Sequence, residues 1–427
     1  MDNRSKIILD KLFALHRFGI MPGLDRTLAL AEFAGNPHKQ FRTIHVAGTN
    51  GKGSVCSLIA SMLMEEGYKT GLYTSPHLER FNERIRIDGR VISDEELADI
   101  AEMLMPESDR LGCTFFEITT VMAFHYFAVK GVDFAVIETG MGGRFDSTNI
   151  ITPLASVITS ISLEHKEYLG DSIEKIAIEK AGIIKAGVPA IVAESNPRAL
   201  AVLAEAASDK AAELIHTAQL KHDNYRITDG LKMELDIFSG KNTYSDIESP
   251  LAGKHQVNNI KAAILTVETL DETLEMCRSS ITDGIKNVAV NTGLNSRALL
   301  VRKAPPLITD VCHNPESVEA LYKLIQDSAF SGLQWTILFA LMDDKDAERV
   351  IEIMKPMCKR LIITKPEIDR AFKPDILYSI ASAAGIPEID REPSVEKALE
   401  KALLYNEPLI ICGSFYLIGE VMAAGRL

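Results

Sequence analysis

The chain has 427 residues, of which 46% are hydrophobic and 25% charged, with a formal net charge of -13 and one tryptophan. That length exceeds one ordinary core and points to two globular domains. The acidic total argues against a nucleic-acid backbone as partner, the lone tryptophan against a base-stacking platform, and the lack of a long apolar run against a membrane span.

At the N-terminus, Lys6, Asp10 and Lys11 interleave with apolar residues, the pattern of an amphipathic helix and not of a signal peptide. Strands are predicted at 42–47, 70–74, 133–139, 155–161 and 189–193, separated by helical stretches at 55–66, 95–105, 118–130 and 173–185. This alternation predicts a parallel sheet with helices on both faces. Capping boxes pair Ser93 with Glu96, Thr114 with Glu117 and, in an acidic form, Asp171 with Glu174. Residues 225–238 alternate about Asp229 and Gly230, which reads as a hairpin. Helical patterns follow at about 256–270 and again through Asn287. Residues 291–303 are poor in periodicity and precede Pro305 and Pro306, which divides the chain into domains 1–293 and 294–427. Beyond that boundary, strands are predicted at 307–312, 336–341, 361–364 and 409–412. The fold class is therefore α/β, a nucleotide-binding domain on a parallel sheet followed by a smaller Rossmann-like domain of roughly 130 residues. The six cysteines form no CxxC pair and read as reduced, buried thiols of a cytoplasmic protein.

Gly48, Thr49, Asn50, Gly51, Lys52, Gly53 and Ser54 follow the first predicted strand and open a helix. A glycine-rich turn there frees N–H groups for phosphate oxygens, and the helix start adds its dipole. Lys52 can reach the β and γ phosphates, and Ser54 can ligate Mg²⁺. An ordinary strand-to-helix turn is the plainer alternative, and the strand–loop–helix context favours the nucleotide. The spacing is one residue shorter than in the common phosphate loop, and Gly53 separates the lysine from the hydroxyl. Glu138 ends an apolar strand ahead of Gly140, Gly142 and Gly143, where parallel sheets bind ligands.

Taken together, these segments resemble the Mur ligase superfamily and, within it, the folylpolyglutamate synthase and dihydrofolate synthase family. The matching segments run in order along nearly the whole chain: 19–26, 45–54, 73–78, 114–117, 138–149, 180–183, 255–259, 313–315, 344–346 and 413–420. The resemblance implies an ATP-dependent amide ligase that moves the γ-phosphoryl of ATP onto a carboxylate and lets the amine of L-glutamate attack the acyl phosphate. Dihydropteroate, a reduced folate or both would be the acceptor, in folate biosynthesis and polyglutamylation. Arg144 leans the reading toward dihydrofolate synthase activity, alone or combined with chain extension. A monomer is expected.

The same resemblance implies two Mg²⁺ ions, for which hard oxygen ligands are suited. Ser54 and Ser75 would hold the first ion, Glu138 would bridge both, and His165 and Lys180 would hold the second. Lys180 would carry a carbamate formed with CO₂, which requires an amine that is neutral part of the time. Lys52, His165 and Lys180 are thus the residues carried over as catalytic. Nucleotide contacts carried over are Asn50, Gly51, Lys52, Gly53 and Ser54, then Asn259 on the adenine side. Arg297, Asp310 and His313 would come from the second domain, which closes over ATP and binds glutamate. Thr114, Phe115, Phe116, Glu117, Arg144, Phe145, Asp146 and Ser147 would bind the pterin, a phenylalanine stacking on the ring and Asp146 accepting from ring N–H groups.

Without the resemblance, Ser75 is a turn residue before a proline, His165 a loop histidine, Lys180 a helix lysine, and Thr114 with Glu117 a helix cap. Two segments depart from the family pattern. Leu294, Asn295, Ser296 and Arg297 stand where Trp-Pro-Gly-Arg is usual, and Asp310, Val311, Cys312, His313 and Asn314 where Asp-Gly-Ala-His-Asn is usual. Two other readings are a nucleotide-binding regulatory protein of this fold without catalysis, and another Mur-type amino-acid ligase. Against the latter, the phosphate loop comes too early for a separate UDP-sugar domain ahead of it.

Overall fold

The computed structural model describes residues 3–15, 21–270, 274 and 276–425, so Gly19 and Ile20 of the segment 19–26 lie outside the described residues. A first sheet holds β1 (Arg42–Ala47), β2 (Thr70–Tyr73), β3 (Ile85–Ile87), β4 (Arg90–Val91), β5 (Phe134–Glu138), β6 (Ala155–Ile158), β7 (Ala190–Val192) and β8 (Leu214–His216). Their spatial order is β4-β3-β2-β5-β1-β6-β7-β8. β2, β5, β1, β6, β7 and β8 are parallel, while β3 and β4 add an antiparallel edge. β5 is buried along its whole length, as expected of a strand with both faces covered. The chain leaves β1 for β2 on one side and takes β6 on the other, so the strand order reverses at β1, where doubly wound sheets bind ligands.

The helix Lys52–Glu65 follows β1 and is buried from Ser54 to Leu63. The helix Arg278–Lys286 crosses it so closely that a Cβ at Gly284 would stand 2.6 Å from the Cα of Met62. A three-stranded antiparallel sheet follows: β9 (Lys221–Ile227), β10 (Met233–Phe238) and β11 (Thr243–Ser249). Met233, Leu235 and Ile237 alternate on β10 and join the main core, which also receives the helix Lys254–Thr269.

The third sheet holds β12 (Leu299–Lys303), β13 (Pro306–Thr309), β14 (Trp335–Phe339), β15 (Cys358–Ile363), β16 (Glu388–Arg391) and β17 (Leu409–Cys412). Its order is β12-β13-β17-β14-β15-β16, parallel except for β12. Both larger sheets carry helices on their faces, the α/β architecture read from the sequence. Among the described residues no helix is long and apolar enough to cross a membrane.

The structure corrects several local expectations. The third cap belongs to Ser172, whose hydroxyl accepts from the Lys175 N–H, while Asp171 pairs with the Lys175 ammonium at 2.9 Å. That helix, Ile173–Ala181, ends short of residue 185. The helix expected to stop at 105 continues through Pro106 as Asp94–Leu111. Residues 299–303, read as aperiodic, form β12, an edge strand that alternates exposed with half-buried residues. β3, β4, β8, β11 and β16 were also unforeseen; most are short edge strands with little apolar signal.

Candidate active site

β1 runs into a tight loop built around two close approaches. At Gly51, with φ +89°, a Cβ would stand 2.6 Å from Asn259 Oδ1. At Gly48 it would meet Thr159 Oγ1 at 1.7 Å, and that hydroxyl is needed to donate to the Asn50 carbonyl at 2.7 Å. The Lys52 ammonium donates to the Gly48 and Thr49 carbonyls, both at 3.0 Å, so the loop carries a fixed positive charge at its centre. Gln256 links the helix Lys254–Thr269 to the loop, donating to Ser54 Oγ at 3.4 Å and accepting from the Asn259 amide at 2.8 Å.

Glu138, the last residue of β5, is buried and accepts the Ser75 N–H at 3.0 Å through Oε2. Burial raises its carboxyl above the ordinary range, against the pull of Lys52, the Ser75 N–H, Arg297 and Arg84. A Cβ on Gly53 would stand 3.5 Å from Arg297 Nη2 and 3.8 Å from Glu138 Oε2, so the phosphate loop, β5 and the second domain converge there.

An aromatic wall adjoins this point. Thr114 caps the helix Phe115–Lys130; Glu117 accepts the Thr114 N–H at 2.6 Å and holds Arg26 at 3.0 Å. The Glu117 carboxylate is therefore engaged as a helix cap and an ion pair. Phe115 is buried and stacks on Phe13 with centroids 5.7 Å apart, whereas half-buried Phe116 lies over Gly140. Phe116 is thus the phenylalanine left over for a ligand. Asp146 accepts the Met141 N–H at 2.9 Å, and the Thr148 N–H at 3.0 Å and hydroxyl at 2.5 Å, so it closes its own loop. Thr148 Oγ1 also meets His45 Nε2 at 2.8 Å, tying this loop to β1.

Glu164 was not singled out in the sequence, yet it joins the two halves of the chain. Lys345 donates to it at 2.8 Å and His313 lies at 3.3 Å. Although burial works against its charge, His313, Lys345 and His165 hold the Glu164 carboxyl well below the usual carboxylate range. Its neighbour His165 is lowered to about 4, chiefly by burial, and so presents a neutral imidazole at pH 7. Asn50 adds a second bridge between the halves, reaching Glu316 at 2.5 Å and Asn314 at 3.0 Å. The only sequence signal for Glu164 was its place beside His165. Its role comes from a partner 181 residues away. Replacing Glu164 with glutamine is expected to raise the KM for ATP about 5- to 20-fold, the loss of one partly buried charge pair. Steady-state kinetics at varied ATP would check this, and an unchanged KM would refute it.

Lys180 is buried in the last turn of the helix Ile173–Ala181. Burial and Lys52 lower its ammonium to about 7, with Glu164 and Asp146 pulling the other way. Among the described residues, no three His, Cys, Asp or Glu side chains cluster as a metal cage. The donors that do gather, Ser54, Ser75 and Glu138, are hard oxygens beside the phosphate loop.

A cavity of about 750 Å³ unites these parts. All the predicted site residues line it except Arg144, which is exposed, and Lys180, which is buried. The Arg144 guanidinium lies over the Phe145 ring at 5.4 Å.

The two segments that depart from the family pattern meet each other. The Val311 N–H donates to the Ser296 carbonyl at 3.1 Å, and the Ala298 N–H to Asp310 Oδ2 at 2.6 Å. Ser296 stands at φ +53°, a left-handed position that glycine would hold without strain. Asn295 Oδ1 accepts its N–H at 2.7 Å, and its hydroxyl meets Thr309 Oγ1 at 3.3 Å. Val311 is buried in the core of the third sheet. Arg297 and Asp310 both still line the cavity.

Residues 46–267 match the Mur ligase middle domain and residues 296–415 the Mur ligase glutamate ligase domain. The chain is 36% identical over 414 residues to the dihydrofolate synthase/folylpolyglutamate synthase of Bacillus subtilis (strain 168), covering 95% of each. The chain belongs to the folylpolyglutamate and dihydrofolate synthase family of Mur ligases. Solved members of that family share its architecture. The Mycobacterium tuberculosis folylpolyglutamate synthase complexed with ADP and AMPPCP gives a TM-score of 0.90 at 28% identity, covering 100% of both chains. Escherichia coli FolC in complex with DHPP and ADP gives 0.86 at 29% identity, covering 97% of both. Both of those solved relatives hold adenine nucleotides.

Proposed function

We propose that this chain is an ATP-dependent amide ligase that joins L-glutamate to dihydropteroate, a reduced folate or both, releasing ADP and phosphate. The observation that carries this reading is that one cavity is lined by Lys52, Glu138, the aromatic wall and Arg297 of the second domain together. Residues 1–293 would bind ATP and the pterin, and residues 294–427 would close over the nucleotide and bind glutamate. The enzyme would act in the cytoplasm as a monomer.

In the first step a carboxylate oxygen of the acceptor attacks the γ-phosphorus of ATP and the bond to ADP breaks. In the second, the deprotonated amine of glutamate attacks the acyl carbon, phosphate leaves and an amide remains. The first step brings two anions together, so its transition state gains from cations already fixed in place. Lys52 in the phosphate loop and Arg297 of the second domain, both lining the cavity, would supply such charge. Ser54, Ser75 and Glu138 are suited to one Mg²⁺, and Glu138, His165 and a carbamylated Lys180 to another, His165 being neutral and Lys180 able to lose its proton near pH 7. Bound there, such ions would neutralise charge on the transferring phosphoryl group. The half-buried Phe116, with Phe145 and Ser147, would enclose the flat heterocycle. Arg144 at the rim leans the reading toward dihydropteroate.

ADP release by the purified protein with ATP, Mg²⁺ and glutamate tests the reading. Turnover with dihydropteroate alone would make it a dihydrofolate synthase, and turnover with tetrahydrofolate as well would make it bifunctional. No pterin-dependent release would overturn the assignment.

A further inference from the structure

Arg84 is a buried arginine for which neither the fold nor the proposed reaction has so far found a use. It is 8% exposed and lines the cavity. A buried guanidinium is normally paired with an acid, because an unpaired buried charge is costly. The other arginines nearby follow that rule or reach backbone carbonyls: Arg80 pairs with Asp94 at 2.6 Å, Arg26 with Glu117 at 3.0 Å, and Arg86 donates to the Glu83 and Gly89 carbonyls. Arg84 has no such partner among the described residues. The adjacent acid, Glu83, is spent on the Leu78, Glu79 and Arg80 N–H groups at 2.9, 3.0 and 2.7 Å.

The position of Arg84 is fixed from three directions. Its carbonyl accepts the Thr74 N–H at 3.1 Å, one residue before the Ser75 whose N–H binds Glu138. Its Nε donates to His77 Nδ1 at 2.8 Å, which sets the plane of the guanidinium. Its guanidinium carbon lies over the Phe115 and Phe81 rings, 5.4 and 5.7 Å from their centroids. With Nε occupied, the two Nη atoms form the free fork, the geometry that takes a carboxylate through two parallel hydrogen bonds. That fork belongs to the cavity between the aromatic wall and Glu138.

We infer that Arg84 is an oxyanion-binding residue for a substrate carboxylate, that of the acceptor, holding it between the aromatic wall and the phosphoryl group to be transferred. The inference rests on the ligase reading above. The same chemistry could serve the incoming glutamate. The acceptor is favoured because Arg84 sits on the first domain, against Phe115, at the seam with Ser75 and Glu138. A carboxylate there would give the fork the directly hydrogen-bonded partner that Glu138 and Glu83, which act on Arg84 only through their charge, do not provide. Its negative charge would be partly neutralised before it meets the triphosphate.

The test compares equilibrium binding of dihydropteroate and of its carboxamide analogue, by calorimetry with AMPPCP and Mg²⁺ present. The wild-type protein is expected to prefer the carboxylate by about 10- to 100-fold, the range of a charge-assisted hydrogen-bond pair. Arg84→Gln should bind the two compounds equally, and Arg84→Lys should keep part of the preference. Because Arg84 also lies on Phe115, thermal unfolding of both variants separates lost recognition from lost packing. An Arg84→Gln protein that keeps the wild-type preference, or one that loses only its KM for glutamate, would overturn the inference. Wild-type protein that binds neither pterin would overturn the ligase reading itself, and with it this one.

Discussion

Replacing Lys52 with alanine is expected to lower kcat about a thousandfold, the scale on which fixed charge at a transferring phosphoryl group acts. Lys52 opens a buried helix and spends its ammonium on two carbonyls of its own loop, each at 3.0 Å. Those bonds hold the charge in place before a nucleotide arrives, so little reorganisation is left for the reaction. Arginine should not restore activity, since its planar fork does not reproduce the compact ammonium that Lys52 sets on the Gly48 and Thr49 carbonyls. The melting temperature should move by only a few degrees, because the lost bonds are two part-buried contacts within one loop and no apolar core is opened. Single-turnover measurement of ADP formation separates the chemical step from binding. An alanine variant with a tenth of wild-type kcat would remove Lys52 from the proposed chemistry.

Lys180→Ala is expected to cost a comparable factor, about a hundredfold or more if a ligand that carries charge to the site is lost. Here the distinctive readout is CO₂. Burial lowers the Lys180 ammonium from 10.5 to about 7, so the neutral amine rises from roughly a tenth at pH 6 to roughly nine-tenths at pH 8. Carbamate formation needs that neutral amine, so activity should climb over this window and fall as the pH drops through 7. Stripping CO₂ and bicarbonate from the assay should reduce the rate, and their return should restore it. A small carboxylate added to the alanine variant should recover part of the loss by standing in for the carbamate. Insensitivity to CO₂ together with full activity in Lys180→Arg would refute the modification.

The central elements were legible because their signals are local. β1, its glycine loop and the helix after it announce themselves in consecutive residues, and the caps at Ser93 and Thr114 fell where their side chains predicted. The edges were harder. β12 carries Arg302 and Lys303 and half-exposed apolar residues, so its pairing with β13 supplies what its own pattern lacks. Phe115 and Phe116 look alike in sequence, and only packing, against Phe13, Phe81 and the cluster around them, makes one of them core. Glu164 and Arg84 were illegible for a deeper reason. One is defined by a lysine from the far domain, and the other by a guanidinium fork to which no described acid is hydrogen-bonded, and neither fact exists until the chain has folded. Lys180 stood out only through resemblance, although its burial among charged groups gives it an independent physical character.

The hydrogen bonds that join residues 294–298 to residues 309–311 bear on how such a sequence can change over time. Asn295 and Ser296 on one side, and Val311 on the other, form one mutually adjusted unit. Restoring proline and glycine at 295 and 296 alone would remove the side-chain contacts that settle the left-handed turn, while leaving the bulk of Val311 beneath it. Exchanges on the two sides should therefore be strongly non-additive. The fitness of a residue on either side is thus set by the residues that stand on the other, so the two segments are exchanged together or at a cost.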